Sequence, residues 1–196
     1  MSVQARSIAT RTRLLEATVA ALVERGAHGT SLAEVCRRAG ASKGALLHHY
    51  PRRADLFAAA ADHLFALRLA ELEEALALGD LADLDALLER LWAIYSGPTL
   101  AAWLELVVAA RTDPALRVAL ARVDADLTRR AAALFRQVFG VEDPARATAG
   151  ARTIMALFDG LSLNLVLGQG EDHARRVLPA VRELLAPWLG KKGSSP

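Results

Sequence analysis

Two short amphipathic segments joined at a glycine constrain the fold of this chain more than any other feature. They occupy residues 30–50, TSLAEVCRRAGASKGALLHHY. Ser31 and Glu34 have the spacing of a capping box, which predicts a helix start, and Gly40 supplies the positive φ that ends this helix. Ser42 then caps a second short helix. Two short helices that cross at such a turn form a helix-turn-helix, in which the start of the second helix faces DNA.

The rest of the sequence also favours helix. Hydrophobic residues make up 53% of the 196 residues but aromatic residues only 5%, with alanine and leucine dominant. Apolar residues recur at helical spacing, and Gly or Pro separates the segments. We therefore expect an all-α protein of about nine helices. Residues 1–53 form a three-helix DNA-binding domain, residues 54–189 a helical ligand-binding and dimerisation domain, and residues 190–196 a disordered tail. Pro179 should kink or delay the last helix.

Charge is distributed unevenly along the chain. Residues 1–53 contain nine Lys or Arg and three Glu, a net charge of +6, whereas the remainder carries 15 basic and 19 acidic residues, a net charge of −4. A basic end suits a polyanion, and an acidic body disfavours wrong contacts with it. A solvated basic face without a function is the alternative reading.

Several classes of protein are disfavoured. Cys36 is the only cysteine, which excludes an intrachain disulfide and a cysteine-based zinc cluster. His48 and His49 are adjacent and project about 100° apart on a helix, so they cannot share a metal ion. No apolar run reaches the roughly 20 residues of a membrane helix, and no phosphate loop, metal-binding histidine pair or nucleophile elbow occurs. We expect a cytoplasmic protein that is not an enzyme and has no cofactor, metal ion or membrane partner.

The expected DNA contacts cluster around the second short helix. Its first turn combines Lys43, which can donate to guanine or phosphate, with small residues that let the backbone approach base edges. The start of the preceding helix and the arginines after Pro51 suit phosphate contacts. The candidate residues are Thr30, Ser31, Ser42, Lys43, Gly44, Ala45, Leu47, His48, His49, Arg52 and Arg53.

The stretch GTSLAEVCRRAGASKGALLHHYPRRADLF, residues 29–57, closely resembles the signature of the tetracycline-repressor (TetR) family of bacterial transcription regulators. By this resemblance Thr30, Lys43, Gly44, His49 and Arg53 match positions that contact DNA. Tyr50 matches a phenylalanine that packs into the domain. Two residues depart from the pattern: Ala41 replaces a valine, and Leu47 replaces a tyrosine that would donate to phosphate. Leu47 instead contacts a thymine methyl group or adds packing.

One short helix reads few bases, so we expect a homodimer on a palindromic operator in double-stranded DNA. The last two helices suit the dimer interface, since residues 151–168 are apolar nearly all round. The resemblance implies a four-helix interface, whereas core burial within one subunit is the alternative. The candidate interface residues are Ile154, Leu161, Leu165, Val177, Val181, Leu184 and Trp188.

The resemblance also implies a ligand chamber lined by helices four to eight. Its candidates are polar or large side chains on apolar helix faces, and the many leucines between Trp92 and Trp103 indicate a mainly apolar small-molecule effector. They are His63, Trp92, Tyr95, Trp103, Glu105, Phe158, Asp159 and Asn164. Asp159 and Asn164 face either the ligand or the dimer interface.

The expected function is therefore that of a DNA-binding regulator, most simply a repressor released by its effector. The alternative keeps the DNA-binding domain but makes the body a protein-interaction or activator module without a small-molecule ligand.

Overall fold

The computed structural model describes residues 3–77, 83–168 and 170–189, and no strand occurs in these ranges. An all-α fold is confirmed. The helices are α1 (Val3–Gly29), α2 (Leu32–Ala39), α3 (Lys43–His49), α4 (Arg53–Ala77), α5 (Leu84–Tyr95), α6 (Thr99–Ala110), α7 (Pro114–Phe139), α8 (Pro144–Val166) and α9 (Gly170–Leu189).

The predicted caps form around α2 and α3. The hydroxyl of Ser31 accepts from the N–H of Glu34 at 3.2 Å, and that of Ser42 accepts from the N–H of Ala45 at 3.1 Å. Gly40 ends α2 in the left-handed conformation, with φ 58° and ψ 37°. These local bonds satisfy N–H groups that a helix start leaves without partners, and they fix the turn between the two helices.

Only one of the two hydrogen bonds of the capping box forms, the one from the N–H of Glu34 to the hydroxyl of Ser31. The N–H of Ser31 donates to the carbonyl of Gly29 at 3.2 Å, so the Glu34 carboxylate does not receive it. That carboxylate instead accepts from Arg37 and Arg38. An ion pair thus replaces the reciprocal capping bond that the sequence predicts.

Gly26 breaks α1 where the sequence predicts its end. Its backbone has φ 67° and ψ 175°, a conformation essentially restricted to glycine. The last helix behaves differently, because α9 begins at Gly170 and continues through Pro179 without the predicted delay. The predicted disordered tail lies outside the described residues.

Contacts divide the chain into two compact units. The head unit comprises residues 1–67 and 98–124, and the body unit comprises residues 68–97 and 125–196. The division falls within α4 and α7, so the head unit combines the helix-turn-helix with α6. The boundary expected near residue 53 stays a prediction.

Each unit has its own apolar core. In the head unit, Leu22, Val35, Leu46 and Leu106 have no exposed surface. In the body unit, the core is a cluster from α5, α7, α8 and α9 around Phe158, which is also fully buried. Within the described residues, no single helix has the length and hydropathy to cross a membrane; α5 and α6 would meet that test only as a pair.

Candidate nucleic-acid interface

Helix α3 presents its first turn to solvent. Its buried anchors are Leu46, with no exposed surface, and the following Tyr50, which is 4% exposed and whose hydroxyl accepts from Arg11 Nε at 3.2 Å. The opposite face carries most of the residues predicted to contact DNA. The exposed ones are Ser42, Lys43, Gly44, Leu47 and His48, while Ala45 and His49 are half-buried.

The arginines of α2 are paired with acids. The Glu34 carboxylate accepts from Arg37 at 2.7 Å and from Arg38 at 2.6 Å, and Arg38 also donates to Glu24 at 2.6 Å. Hydrogen bonds from Arg37 and then Arg38 lower the pKa of Glu34 to about 2. Much of the positive charge in this region is therefore compensated within the protein.

The two arginines after Pro51 also have partners. The guanidinium of Arg52 donates to Asp55 at 2.6 Å and lowers the pKa of that carboxyl group. The guanidinium of Arg53 lies 4.4 Å from the ring centre of Phe57 and donates to the carbonyl of Ala27. A phosphate contact by Arg52 would compete with Asp55, and one by Arg53 would compete with Ala27.

The two candidates at the start of α2 differ in exposure. Thr30 is only 1% exposed, and its hydroxyl donates to the carbonyl of Gly26 at 2.7 Å. Ser31 is exposed and accepts from Glu34 as the helix cap. The hydroxyl of Thr30 would have to leave Gly26 to donate to a phosphate, whereas the hydroxyl of Ser31 can donate where it stands.

Three candidate ligand residues belong to the head unit. Half-buried His63 lines an open, mainly apolar groove of about 340 Å³. Trp103 packs edge-on against Phe65, with 4.7 Å between the ring centres. Glu105 accepts from the backbone N–H of Ala27 at 2.7 Å. The carboxylate of Glu105 is therefore bound to the last turn of α1, just after the kink at Gly26.

The other five candidates belong to the body unit. Tyr95 packs against Phe158 at 5.3 Å between ring centres. Half-buried Trp92 flanks the same core. Burial raises the pKa of the Tyr95 hydroxyl, and half-buried Asp159 raises it further. Asn164 donates from Nδ2 to the carbonyl of Leu161 at 3.2 Å.

A buried arginine joins this group. The guanidinium carbon of Arg68 lies 5.4 Å from the ring centre of Tyr95, and the residue is only 8% exposed. Burial lowers the pKa of this guanidinium, while Tyr95 and Asp159 oppose that shift. The group combines a cation, a phenol and a carboxylate beside an aromatic core.

Comparison with known proteins decides the class. A model of bacterial regulatory proteins of the tetR family matches residues 14–60, and a model of the C-terminal part of BetI-type transcriptional repressors matches residues 94–190. An HTH-type transcriptional regulator of Mycobacterium tuberculosis is 33% identical over 201 residues, covering 95% of this chain and 97% of that protein. The HTH-type transcriptional regulator BetI of Pseudomonas aeruginosa is 34% identical over 189 residues, covering 93% and 94%.

The chain belongs to the tetR family of bacterial regulatory proteins. It is a DNA-binding transcriptional regulator and not an enzyme, as the sequence predicts.

Solved structures of other proteins share this fold. A regulator from Rhodococcus sp. is 27% identical with a TM-score of 0.73, covering 89% of this chain and 97% of that one. The multidrug binding protein EbrR, complexed with imidazole, is 26% identical with a TM-score of 0.58, covering 87% and 93%. A regulator from Saccharomonospora viridis in complex with choline is 20% identical with a TM-score of 0.66, covering 88% and 95%, and shows the fold alone.

Three of the residues predicted for a dimer interface pack into the core of the body unit. Ile154, Leu161 and Val181 are 9%, 8% and 2% exposed, because α8 and α9 turn these side chains toward the core. Leu165 and Val177 are half-buried. Leu184 is 63% exposed, and the side chain of Trp188 lies outside the described residues. The apolar pattern of α8 thus reflects core burial for part of its length.

Arg68 and the exposure of three apolar residues near the end of α8 are not predicted from the sequence. Arg68 lies between Leu67 and Leu69 in an apolar part of α4, and a charge at such a position is the signal that was available. The apolar residues are Leu163, which is 46% exposed, Val166, which is 62% exposed, and Leu167, which is 72% exposed. The sequence shows that these side chains are apolar, but it does not show whether residues of the same protomer cover them.

Proposed function

We propose that this regulator is a homodimeric repressor that binds a palindromic operator and is released by a small, mainly apolar effector. The observation that carries the proposal is the exposed first turn of α3, where Lys43 and Gly44 follow the cap Ser42. Such a turn suits direct contact with base edges in a major groove. The match to BetI-type transcriptional repressors supports repression as the mode of regulation.

Exposed apolar side chains support the dimer. Leu163, Val166 and Leu167 at the end of α8 and Leu184 on α9 are all more than 45% exposed. The spacing of three and four residues places Leu163, Val166 and Leu167 on one face of the chain at this helix end, and clustered exposed apolar side chains suit an interaction site. Two-fold pairing through such a surface would give a dimer that presents two recognition helices to the operator, one from each protomer.

The polar and aromatic group of the body unit supports an effector site. Trp92 and Tyr95 are half-buried aromatic side chains beside the buried ring of Phe158, and Asp159 adds a half-buried carboxylate. Choline and imidazole, bound by two structural neighbours, are the first compounds to test. The guanidinium of Arg68 already lies over the Tyr95 ring, where an ammonium ligand would bind. We therefore expect neutral apolar compounds to bind better than choline.

The DNA-binding step is tested by fluorescence anisotropy with DNA from upstream of the regulator's own gene. Lys43→Ala should weaken binding roughly 5- to 150-fold for each half-site, the range of one good base contact. Arg122→Ala removes the same charge from an exposed position on α7 and serves as the control. Absence of binding at low salt, or equal binding by the two variants, would refute DNA recognition through α3 at this operator.

The effector step is tested with a compound panel that contains choline, imidazole and neutral apolar molecules. A ligand of the folded protein raises its melting temperature, and an inducer must also bind the DNA-free form more tightly than the DNA-bound form. We expect at least one neutral apolar compound both to stabilise the protein and to release the operator. Stabilisation without release would contradict effector-driven induction and favour a body that works through protein partners.

A further inference from the structure

Side chains from two distant helices hold the peptide groups of Ala27. The N–H of Ala27 donates to Glu105 Oε2 of α6 at 2.7 Å, across 78 residues of sequence. The carbonyl of Ala27 accepts from the guanidinium of Arg53, at the start of α4. Ala27 itself is only 6% exposed. Both peptide groups of one residue in the last turn of α1, just after the kink at Gly26, are thus held by side chains, and all three residues belong to the head unit.

Both contacts are built into the surrounding structure. A Cβ atom at Gly26 would lie 2.8 Å from Glu105 Oε2, so only glycine leaves room for the carboxylate at this place. Arg53 stacks on Phe57 of its own helix, which limits where its guanidinium can point. Hydrogen bonds with an ionised partner are shorter and stronger than neutral ones.

Ala27, with its N–H bound to Glu105 and its carbonyl bound to Arg53 (together called the clamp), lies next to the start of α2. Three residues after Ala27, Thr30 donates through its hydroxyl to the carbonyl of Gly26, and its N–H donates to the carbonyl of Ala27 at 3.3 Å. Ser31 then caps α2, and α2 meets α3 across the Gly40 turn. A shift of Ala27 would therefore move the start of α2 and, with it, the recognition helix.

We propose that Glu105 and Arg53 are positioning residues for DNA recognition, acting together on the peptide groups of Ala27. Arg53 acts through its hydrogen bond to the carbonyl of Ala27 and does not bind a phosphate. Glu105 serves from α6 as the acceptor for a backbone N–H. This inference goes beyond the proposed function, since it concerns the geometry of the DNA-binding surface and needs no effector.

Glu105→Ala gives the sharper test, because general electrostatics predict the opposite sign. Removal of a carboxylate from a DNA-binding protein reduces repulsion of phosphate and should tighten binding. Loss of the clamp should instead weaken operator binding roughly tenfold, as expected for one charge-assisted hydrogen bond. Glu16→Ala removes the same charge from an exposed site of the head unit and should bind equally or more tightly.

The salt dependence of binding separates positioning from phosphate contact for Arg53. A lost phosphate contact makes the slope of log K against log salt shallower by about 0.9 per subunit. Arg53→Ala should weaken binding at every salt concentration with the slope unchanged. The double variant with Glu105→Ala should lose less than the two single losses combined, since both side chains hold one residue.

Amide hydrogen exchange reports on the clamp directly. In Glu105→Ala the N–H of Ala27 should exchange faster while core amides keep their rates, and circular dichroism checks the fold. Glu105→Gln keeps the shape and an acceptor oxygen, so it should fold and lose less affinity than Glu105→Ala. Operator binding by Glu105→Ala as tight as wild type, or a shallower salt slope in Arg53→Ala, would overturn the proposal.

Discussion

Gly150 and Gly160 of α8 differ in the space that an added side chain would find. A Cβ atom at Gly150 would lie 2.4 Å from Phe135 Cζ, so the helix can pack against this ring only without a side chain. A Cβ atom at Gly160 would have nothing within 4 Å, and Gly160 is exposed. The two positions share one helix and one residue type, and only their surroundings differ.

Gly150→Ala should destabilise the protein and Gly160→Ala should stabilise it. Overpacking against Phe135 costs about 1–3 kcal/mol, whereas alanine in an exposed helix interior gains about 0.5–1 kcal/mol over glycine. Urea unfolding followed by circular dichroism measures both free energies. Equal effects of the two changes would show that Phe135 moves aside freely, and a loss at Gly160 would indicate that a second copy packs closely there.

At the scale of elements, α2 is joined to α1 by the ion-pair network that links Glu24, Arg38, Glu34 and Arg37. The pKa of Glu34 falls from 4.5 to about 2 through hydrogen bonds from Arg37 and Arg38. A carboxyl group with a lowered pKa in the folded state stabilises that state above its unfolded pKa. This stabilisation is lost as the pH falls from about 4.5 towards 2.

Glu34→Gln should therefore make the free energy of unfolding less dependent on pH in this window. Urea titrations at several pH values between about 2 and 5 measure the effect. Part of the slope should remain, since the pKa values of Glu24 and Asp55 are also lowered. Glu142→Gln, at an exposed loop position, is the control. An unchanged slope in Glu34→Gln would mean that the network does not form in solution.

The same elements show what a sequence can predict and why. Caps and turns depend on residues a few positions apart, so Ser31, Gly40 and Ser42 could be placed from the sequence. The partners of Ala27 lie 26 and 78 residues away, and no local pattern encodes such a pair. The apolar period of α8 predicts that two of its faces are covered but does not distinguish the core from a dimer interface. Ile154 packs into the core of the body unit, which is one of those two alternatives.

At the scale of the whole molecule, the net charge of +6 in residues 1–53 overstates the charge available to DNA. Arg37, Arg38 and Arg52 form ion pairs with acids. Arg53 is bound to a backbone carbonyl. We therefore expect the exposed side chain of Lys43 at the start of α3 to contribute a larger share of the binding free energy than the basic composition suggests.

Dimerisation is the property of the whole molecule that the exposed apolar residues predict. Leu184 is 63% exposed on α9, in the part of the chain where the sequence and the family resemblance both favour a two-fold interface. A buried leucine contributes about 1.5–3 kcal/mol, and a two-fold interface contains each residue twice. Leu184→Glu should therefore raise the dimer dissociation constant about 10²- to 10⁴-fold.

Sedimentation velocity over a concentration series measures this change, with Val118→Glu as the control. Val118 is 66% exposed on α7, so its replacement adds the same charge to an equally exposed apolar site of the head unit. Leu184→Glu should sediment as a monomer where the wild type and Val118→Glu are dimers. It should also lose operator affinity, because a monomer presents one recognition helix and reads one half-site. A Leu184→Glu protein that stays dimeric at wild-type concentrations would place the interface elsewhere, whereas a monomer that keeps full operator affinity would refute recognition of a palindrome.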